Sequence, residues 1–205
     1  MPPEAWQIPR SWEGETAVLI GSGPSLSMEQ ILAAPKSVKF LGINDAYLLW
    51  PSMDHHHACD GKWWGWHYDV CRSRLRCPST TISKNAAVKY PDLKWIEGRQ
   101  RPGISYEPTA VHTGKNSGYQ AINIAVLMGA KRIVLLGFDC KIASDGRSHW
   151  FGDHPDNTRS WYETWHSQFE TLVDPLRELG VEVINCSPGS ALGCFPKADI
   201  EDVFS

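Results

Sequence analysis

Short, mostly apolar runs recur along the chain at 17–20, 38–43, 133–136 and 181–184, each ended by a glycine or a polar residue. Runs of that length without polar alternation predict strands covered on both faces of a parallel sheet. Weaker runs at 53–59, 80–83 and 93–96 predict further strands. Between them the period lengthens toward that of a helix. Residues 119–130 are apolar nearly all round, as in a buried helix closed by Gly129. From Thr158 onward Trp161, Trp165, Phe169, Leu172, Leu176 and Leu179 form one helical stripe, which Pro175 kinks or restarts and Gly180 stops. Shorter helices are expected at 25–34 and, after Asp60, at 61–72. Residues 99–102 and 104–111 show no period and read as loop and irregular chain. Strands alternating with helices predict one Rossmann-like α/β domain over 16–195, its sheet mainly parallel with helices on both faces. Residues 1–15 read as an N-terminal arm or packed tail, and 196–205 as a C-terminal tail.

The polar residues at the strand ends carry the chemistry. Gly21 and Gly23 lack a Cβ and let the backbone turn tightly and approach a ligand. Pro24 suits a first helical position and Ser22 or Ser25 a cap, so a helix N-terminus with open N–H groups is expected directly after the glycines, ready for an anion. Asn44 and Asp45 end the second strand, Asp60 the third, Gly137 and Asp139 the strong strand at 133–136, and Ser187 and Ser190 the last. In a doubly wound sheet these ends share one rim, where ligands bind. Thr113-Gly-Lys-Asn-Ser-Gly118 precedes the buried helix. It is not a P-loop, because Thr109 replaces the upstream glycine and Asn116 the hydroxyl residue. Capping by Asn116 or Ser117 is the economical reading. Residues 140–157, polar and rich in Gly, Asp and His, read as a lid holding His149, Trp150, Asp153 and His154.

Composition narrows the classes. In 205 residues, 42% hydrophobic and 21% charged, there is material for one core. The net charge of −3 argues against a grip on duplex nucleic acid. No apolar run approaches a membrane span and the N-terminus has no signal-peptide pattern, so a cytoplasmic protein is the default expectation. Six cysteines without a Cys-x-x-Cys pair predict reduced thiols. His55, His56 and His57, with Cys59, His67 and Cys71, invite a zinc site. Strand alternation divides the three histidines between two faces and no metal spacing is completed, so none is expected. Of ten tryptophans, six cluster near 63–66 and 150–165. Trp63, Trp64 and Trp66 read as core, or as a wall beside a flat ring.

Taken together, Ile20-Gly-Ser-Gly-Pro-Ser-Leu26, Asn44 closing the second strand and Asn116-Ser-Gly118 opening the buried helix resemble the bacterial sialyltransferases that use CMP-sialic acid. Gly129-Ala-Lys-Arg-Ile-Val-Leu-Leu-Gly-Phe-Asp139, Ser148-His-Trp150 and Cys186-Ser-Pro-Gly-Ser190 continue the resemblance, in order, over 16–192. The glycine-proline-serine loop and the Ser-Gly helix are shared with the 6-hydroxymethylpterin pyrophosphokinase-like family. Ala58-Cys-Asp-Gly-Lys-Trp-Trp64 resembles compact phage and prophage proteins. The resemblance implies that the turn Gly21, Ser22, Gly23, Pro24 and Ser25 holds the nucleotide phosphate and ribose, and that Asn44 contacts one of them. It further implies that Ser117 and Gly118 face the donor's anionic group, that Ser187 to Ser190 border the base, and that His149 is the general base. An imidazole, with its ordinary pKa near ~6.5, suits that role. The family places tyrosines after its Gly-x-Asp strand; Cys140, Lys141 and Ile142 stand there in this chain.

The function expected is therefore a nucleotide-binding transferase. Its leading form is a metal-independent glycosyltransferase with a nucleotide-linked sugar as donor and no cofactor. The acceptor is left as a glycan, a small molecule or a nucleic acid, the last resting on Arg99, Arg101, Lys115 and the tryptophans. A homo-oligomer is compatible with this reading. The alternatives are an ATP- and Mg²⁺-dependent pyrophosphokinase with Asp45, Asp60 or Asp139 as metal ligands, and a nucleotide-binding module without catalysis.

Overall fold

A computed structural model describes residues 3–152 and 162–205. In chain order the elements are β1 (Thr16–Ile20), α1 (Met28–Ala33), β2 (Lys39–Ile43), β3 (His55–His57), α2 (Gly61–Arg74), β4 (Ser79–Thr81), α3 (Lys84–Lys89) and β5 (Lys94–Trp95). After these come β6 (Glu97–Arg99), β7 (Ala110–His112), α4 (Ser117–Met128), β8 (Arg132–Leu136), α5 (Tyr162–Glu170), α6 (Val173–Glu178), β9 (Glu182–Asn185) and α7 (Ile200–Val203). Seven strands form one sheet in the order β5-β4-β3-β2-β1-β8-β9, and every pairing in it is parallel. β6 and β7 make a separate parallel pair. This is the Rossmann-like α/β arrangement expected from the apolar runs.

Each strand's alternating side chains feed two cores. Ala17, Leu19, Leu41, Ile133 and Leu135 pack on one face with α4, Phe169 of α5 and Leu176 of α6. Val18, Ile20, Phe40, Val134 and Leu136 pack on the other with Ile31 of α1, Trp63 and Trp64 of α2 and Ile200 of α7. The sheet is thus covered on both sides, which is why its central strands carry no polar face. Ile8 and Trp12, ahead of β1, are buried in the first core. Ile200 of the C-terminal segment is buried in the second.

Several local expectations change. The helix after the glycine turn opens at Met28, not beside Pro24. Ser27 and Gln30 form a reciprocal capping box there, whereas Leu26 N–H closes a turn onto the Gly23 carbonyl (3.1 Å). The helix has six residues, so its dipole does not reach the glycines. Arg99 belongs to β6 and 110–112 to β7, short segments whose pairing depends on each other rather than on a hydrophobic period. Asn116 caps α4, accepting from Gly118 N–H (2.7 Å) and Tyr119 N–H (3.2 Å). The chain after α5 restarts as α6 at Val173, with Pro175 in its first turn, where the missing N–H costs little. The lid residues 153–157, including Asp153 and His154, and the helix start at Thr158 with Trp161 lie outside the described residues.

The histidine run forms β3, and all three rings are buried. His55 and His57 share one face and both meet Thr80 Oγ1, at 2.9 and 3.0 Å. His56 points the other way, to the Asn44 carbonyl at 2.9 Å. Burial drives their pKa values down, to about 3 for His55 and about 4 for His56 and His57. They are neutral hydrogen-bonding rings of the interior. Among the described residues no group of three metal-ligating side chains is assembled.

Candidate active site

β1 sits between β2 and β8, and the chain order reverses there: β2 to β5 extend one way, β8 and β9 the other. Beyond the carboxyl ends of such strands a crevice opens, the usual ligand position of this sheet type. Here it is a cavity of about 320 Å³, near the lower end of small-molecule sites.

The floor is made by two backbone turns in contact. Gly21 N–H donates to the Leu136 carbonyl (2.8 Å) and Gly23 N–H to the Gly137 carbonyl (2.8 Å). A Cβ on Gly21 would stand 2.6 Å from the Gly137 oxygen, closer than side chains come to backbone. The glycines therefore let β1 and β8 converge. Asp139 then crosses back: its carboxylate accepts Ser25 N–H (3.1 Å) and the Ser25 hydroxyl (2.9 Å), and only 2% of the residue is exposed. Burial raises the Asp139 pKa, partly opposed by the two Ser25 bonds.

The remaining walls come from separate elements. Asn44 arrives from the end of β2, Asp60 from the start of α2, Ser117 and Gly118 from the start of α4. Asp60 caps α2 by accepting Lys62 N–H (2.8 Å). Trp63 and Trp66 line the α2 side; Trp63 is also buried in the core, while Trp66 stays 42% exposed. Lys115 and Lys141 add two cations to the lining. Cys59 lines it as a thiol that burial pushes up, hence neutral.

His149 lines the cavity where its segment meets the glycine turn, the next residue, Trp150, donating its N–H to the Ser22 carbonyl (3.2 Å). The ring stacks on Phe151 at 5.0 Å, and its Nδ1 lies 3.3 Å from the Gly152 carbonyl. The neutral tautomer that donates Nδ1–H there carries its lone pair on Nε2.

Backbone strain concentrates at this place, and two unpaired groups lie here. Among the described residues the non-glycine positions with left-handed backbone are Asn44 (φ 50°), Lys115 (φ 55°) and Cys140 (φ 48°), and all three line the cavity. The Ser22 hydroxyl and the Tyr162 phenol, both on lining residues, are buried without a hydrogen-bond partner. A buried hydroxyl without a partner costs roughly 1–3 kcal/mol, and a ligand oxygen would relieve it.

Of the predicted site residues, the cavity gathers Gly21, Ser22, Gly23, Asn44 and Asp60 from the first half of the chain. From the second half it gathers Ser117, Gly118, Gly137, Asp139 and His149. Pro24, Ser25, Asp45, Ser187 and Ser190 are not in its lining. Ser25 is occupied with Asp139. Asp45 turns into the core, where it accepts the Trp63 indole N–H (2.9 Å). Ser187 accepts Phe138 N–H (2.7 Å) and Ser190 donates to the Phe138 carbonyl (2.7 Å), so both hydroxyls tie the β9 loop to the end of β8. Tyr162 was not identified from sequence, because it reads there as an ordinary position at a helix start. Arg99 lies outside the lining, with its guanidinium engaged by Glu97 and Glu107 at 2.6–2.9 Å.

No protein-family model and no curated protein matches this chain. Among solved structures, it is similar to the sialyltransferase CstII from Campylobacter jejuni in complex with cytidine-5′-monophosphate, with TM-score 0.54 and 14% identity over 92% of this chain and 87% of that one. It is likewise similar to CstII with CMP-3FNeuAc, with TM-score 0.52 and 12% identity over 89% and 84% of the two chains. The chain has a sialyltransferase-like fold.

Proposed function

We propose that the cavity binds a nucleotide-linked sugar and that the protein transfers the sugar to an acceptor hydroxyl. The observation that carries this reading is the pair of buried, partnerless hydroxyls, Ser22 and Tyr162, set around the α4 N-terminus at the sheet's switch point. Such an arrangement offers donors to a phosphate before the ligand arrives. The similarity to a fold whose solved members hold CMP and CMP-3FNeuAc supports the same reading.

In the transfer, the donor's glycosidic C–O bond to phosphate breaks and its electron pair stays on the departing phosphate. Ser22, Tyr162 and the N–H of Ser117 stabilise that charge, with Lys115 and Lys141 adding their field. The acceptor oxygen bonds to the sugar carbon while its proton passes to His149 Nε2. No metal ion or cofactor is required by these steps. The phosphotransferase alternative would draw on Asp45, Asp60 and Asp139, but Asp45 is engaged in the core and Asp139 with Ser25.

Calorimetric titration with CMP, UMP, AMP and GMP tests the binding. Donor turnover then tests the chemistry. It should survive EDTA and fall at least 100-fold in His149→Ala, since a general base contributes about 10²–10⁴. Turnover that EDTA abolishes, or that His149→Ala retains, overturns the corresponding assignment.

A further inference from the structure

The α2 wall of the cavity is backed by a connected group of polar side chains, Asp45, Trp63, His67 and Tyr47. Asp45, only 2% exposed, accepts Trp63 Nε1–H at 2.9 Å on one oxygen and faces His67 Nε2 at 3.5 Å with the other. His67 Nδ1 meets the Tyr47 hydroxyl at 3.0 Å. The His67 ring lies flat against Trp63, with centroids 4.6 Å apart and planes 9° apart. Burial pushes the Tyr47 phenol up to about 12, so it is a donor at neutral pH. A carboxylate only accepts, so the tautomer that suits both neighbours has His67 Nε2–H facing Asp45 and Nδ1 accepting Tyr47 O–H, while the same carboxylate takes the indole proton.

The next residue back is the strained one. Asn44 (φ 50°) lines the cavity, and its carbonyl accepts His56 Nε2–H at 2.9 Å. Asn44 and Trp63 are cavity walls on different elements, and the buried turn at Asp45 joins them.

We infer that Asp45 is a positioning residue: its carboxylate fixes the Trp63 indole and with it the α2 wall and the Asn44 turn against which a ligand seats. The effect on ligand affinity rests on the nucleotide reading; the effect on Trp63 does not. Leucine at 45 keeps the branching, though it is larger, and removes the acceptor, leaving Trp63 Nε1–H without its Asp45 partner. Asparagine would restore the set in reverse, its oxygen taking the indole proton and its amide donating to His67 Nε2, while His67 Nδ1–H donates to Tyr47.

The test uses the full chain labelled with 5-fluorotryptophan, the Trp63 ¹⁹F resonance being assigned by Trp63→Phe, and CMP as the probe. Asp45→Leu should move or broaden the Trp63 line and weaken CMP binding at least tenfold. Asp45→Asn should keep the line near its wild-type position and the affinity within about threefold, while ¹⁵N shifts report His67 changing from the Nε2–H to the Nδ1–H tautomer. The proposal is overturned if Asp45→Leu lowers the melting temperature without moving the Trp63 line. It is overturned equally if wild-type His67 already carries its proton on Nδ1. If Asp45→Leu fails to fold, the Asp45→Asn tautomer change and Trp63 line decide alone. Absence of CMP binding in the wild type would sink the nucleotide reading, while the Trp63 line still decides the role of Asp45.

Discussion

Replacing Gly23 by alanine isolates the contact on which the cavity floor depends. A Cβ there would stand 2.6 Å from the Gly137 carbonyl oxygen and overlap the Asp139 carboxylate. The first neighbour is backbone at the end of β8 and cannot rotate away, so the two turns must part. Overpacking of this kind costs about 1–3 kcal/mol. For a chain of this size about 2–4 °C of Tm accompanies each kcal/mol, so the expected fall is about 2–12 °C. Displacing Asp139 from Ser25 adds to it. Gly65→Ala is the matched control. Gly65 lies within α2, and a Cβ there meets nothing within 4 Å. Alanine in an open helix position gains about 0.5–1 kcal/mol, so this variant should melt slightly higher. Differential scanning calorimetry of the two variants reads both signs at once. A Gly23→Ala protein with wild-type Tm, or both variants shifting in the same direction, would refute the close-approach argument.

Three further predictions follow from the same geometry. Asn116→Ala removes the α4 cap bonds to Gly118 and Tyr119 and should cost about 1 kcal/mol in urea denaturation. The three β3 histidines have folded pKa values below the ordinary 6.5, near 3, 4 and 4, so the unfolded chain binds more protons as pH falls. Their contribution is present above pH 6.5 and is lost as pH drops toward 4, so unfolding near pH 5 should take up about three protons, a slope on the order of 4 kcal/mol per pH unit. An unfolding free energy flat between pH 6.5 and 5 would contradict the buried neutral state. Asp139 is the opposite case, since its folded pKa lies above the ordinary 3.8. Its contribution is present below 3.8 and is lost as pH rises through the folded value, so Asp139→Asn should gain stability relative to wild type as the pH is raised, read by urea titration at each pH.

What the sequence conveyed depended on how local the cause was. The β1 and β8 strands were legible because burial on both faces leaves only apolar residues at 17–20 and 133–136. The rim was legible because strand ends in a parallel sheet point one way, so Gly21, Asn44, Asp60 and Gly137 had to meet. Asp45 was misplaced for a physical reason: the left-handed turn at Asn44 sends the two neighbours to opposite sides, one to the cavity and one to Trp63. Ser187 and Ser190 were drawn inward by the end of β8, a contact across about fifty residues that no local pattern encodes. Tyr162 shows the same limit, since its role depends on where α5 packs rather than on its neighbours in the chain.

The central claim is that the switch-point cavity receives a nucleotide. Isothermal titration of the wild-type chain with CMP, repeated with Ser22→Ala, measures it directly. The account predicts saturable one-to-one binding with Kd below about 1 mM, more than about 4 kcal/mol of binding free energy, weakened by the serine substitution. No heat from CMP, UMP, AMP or GMP at millimolar concentration, or binding indifferent to Ser22, would contradict it.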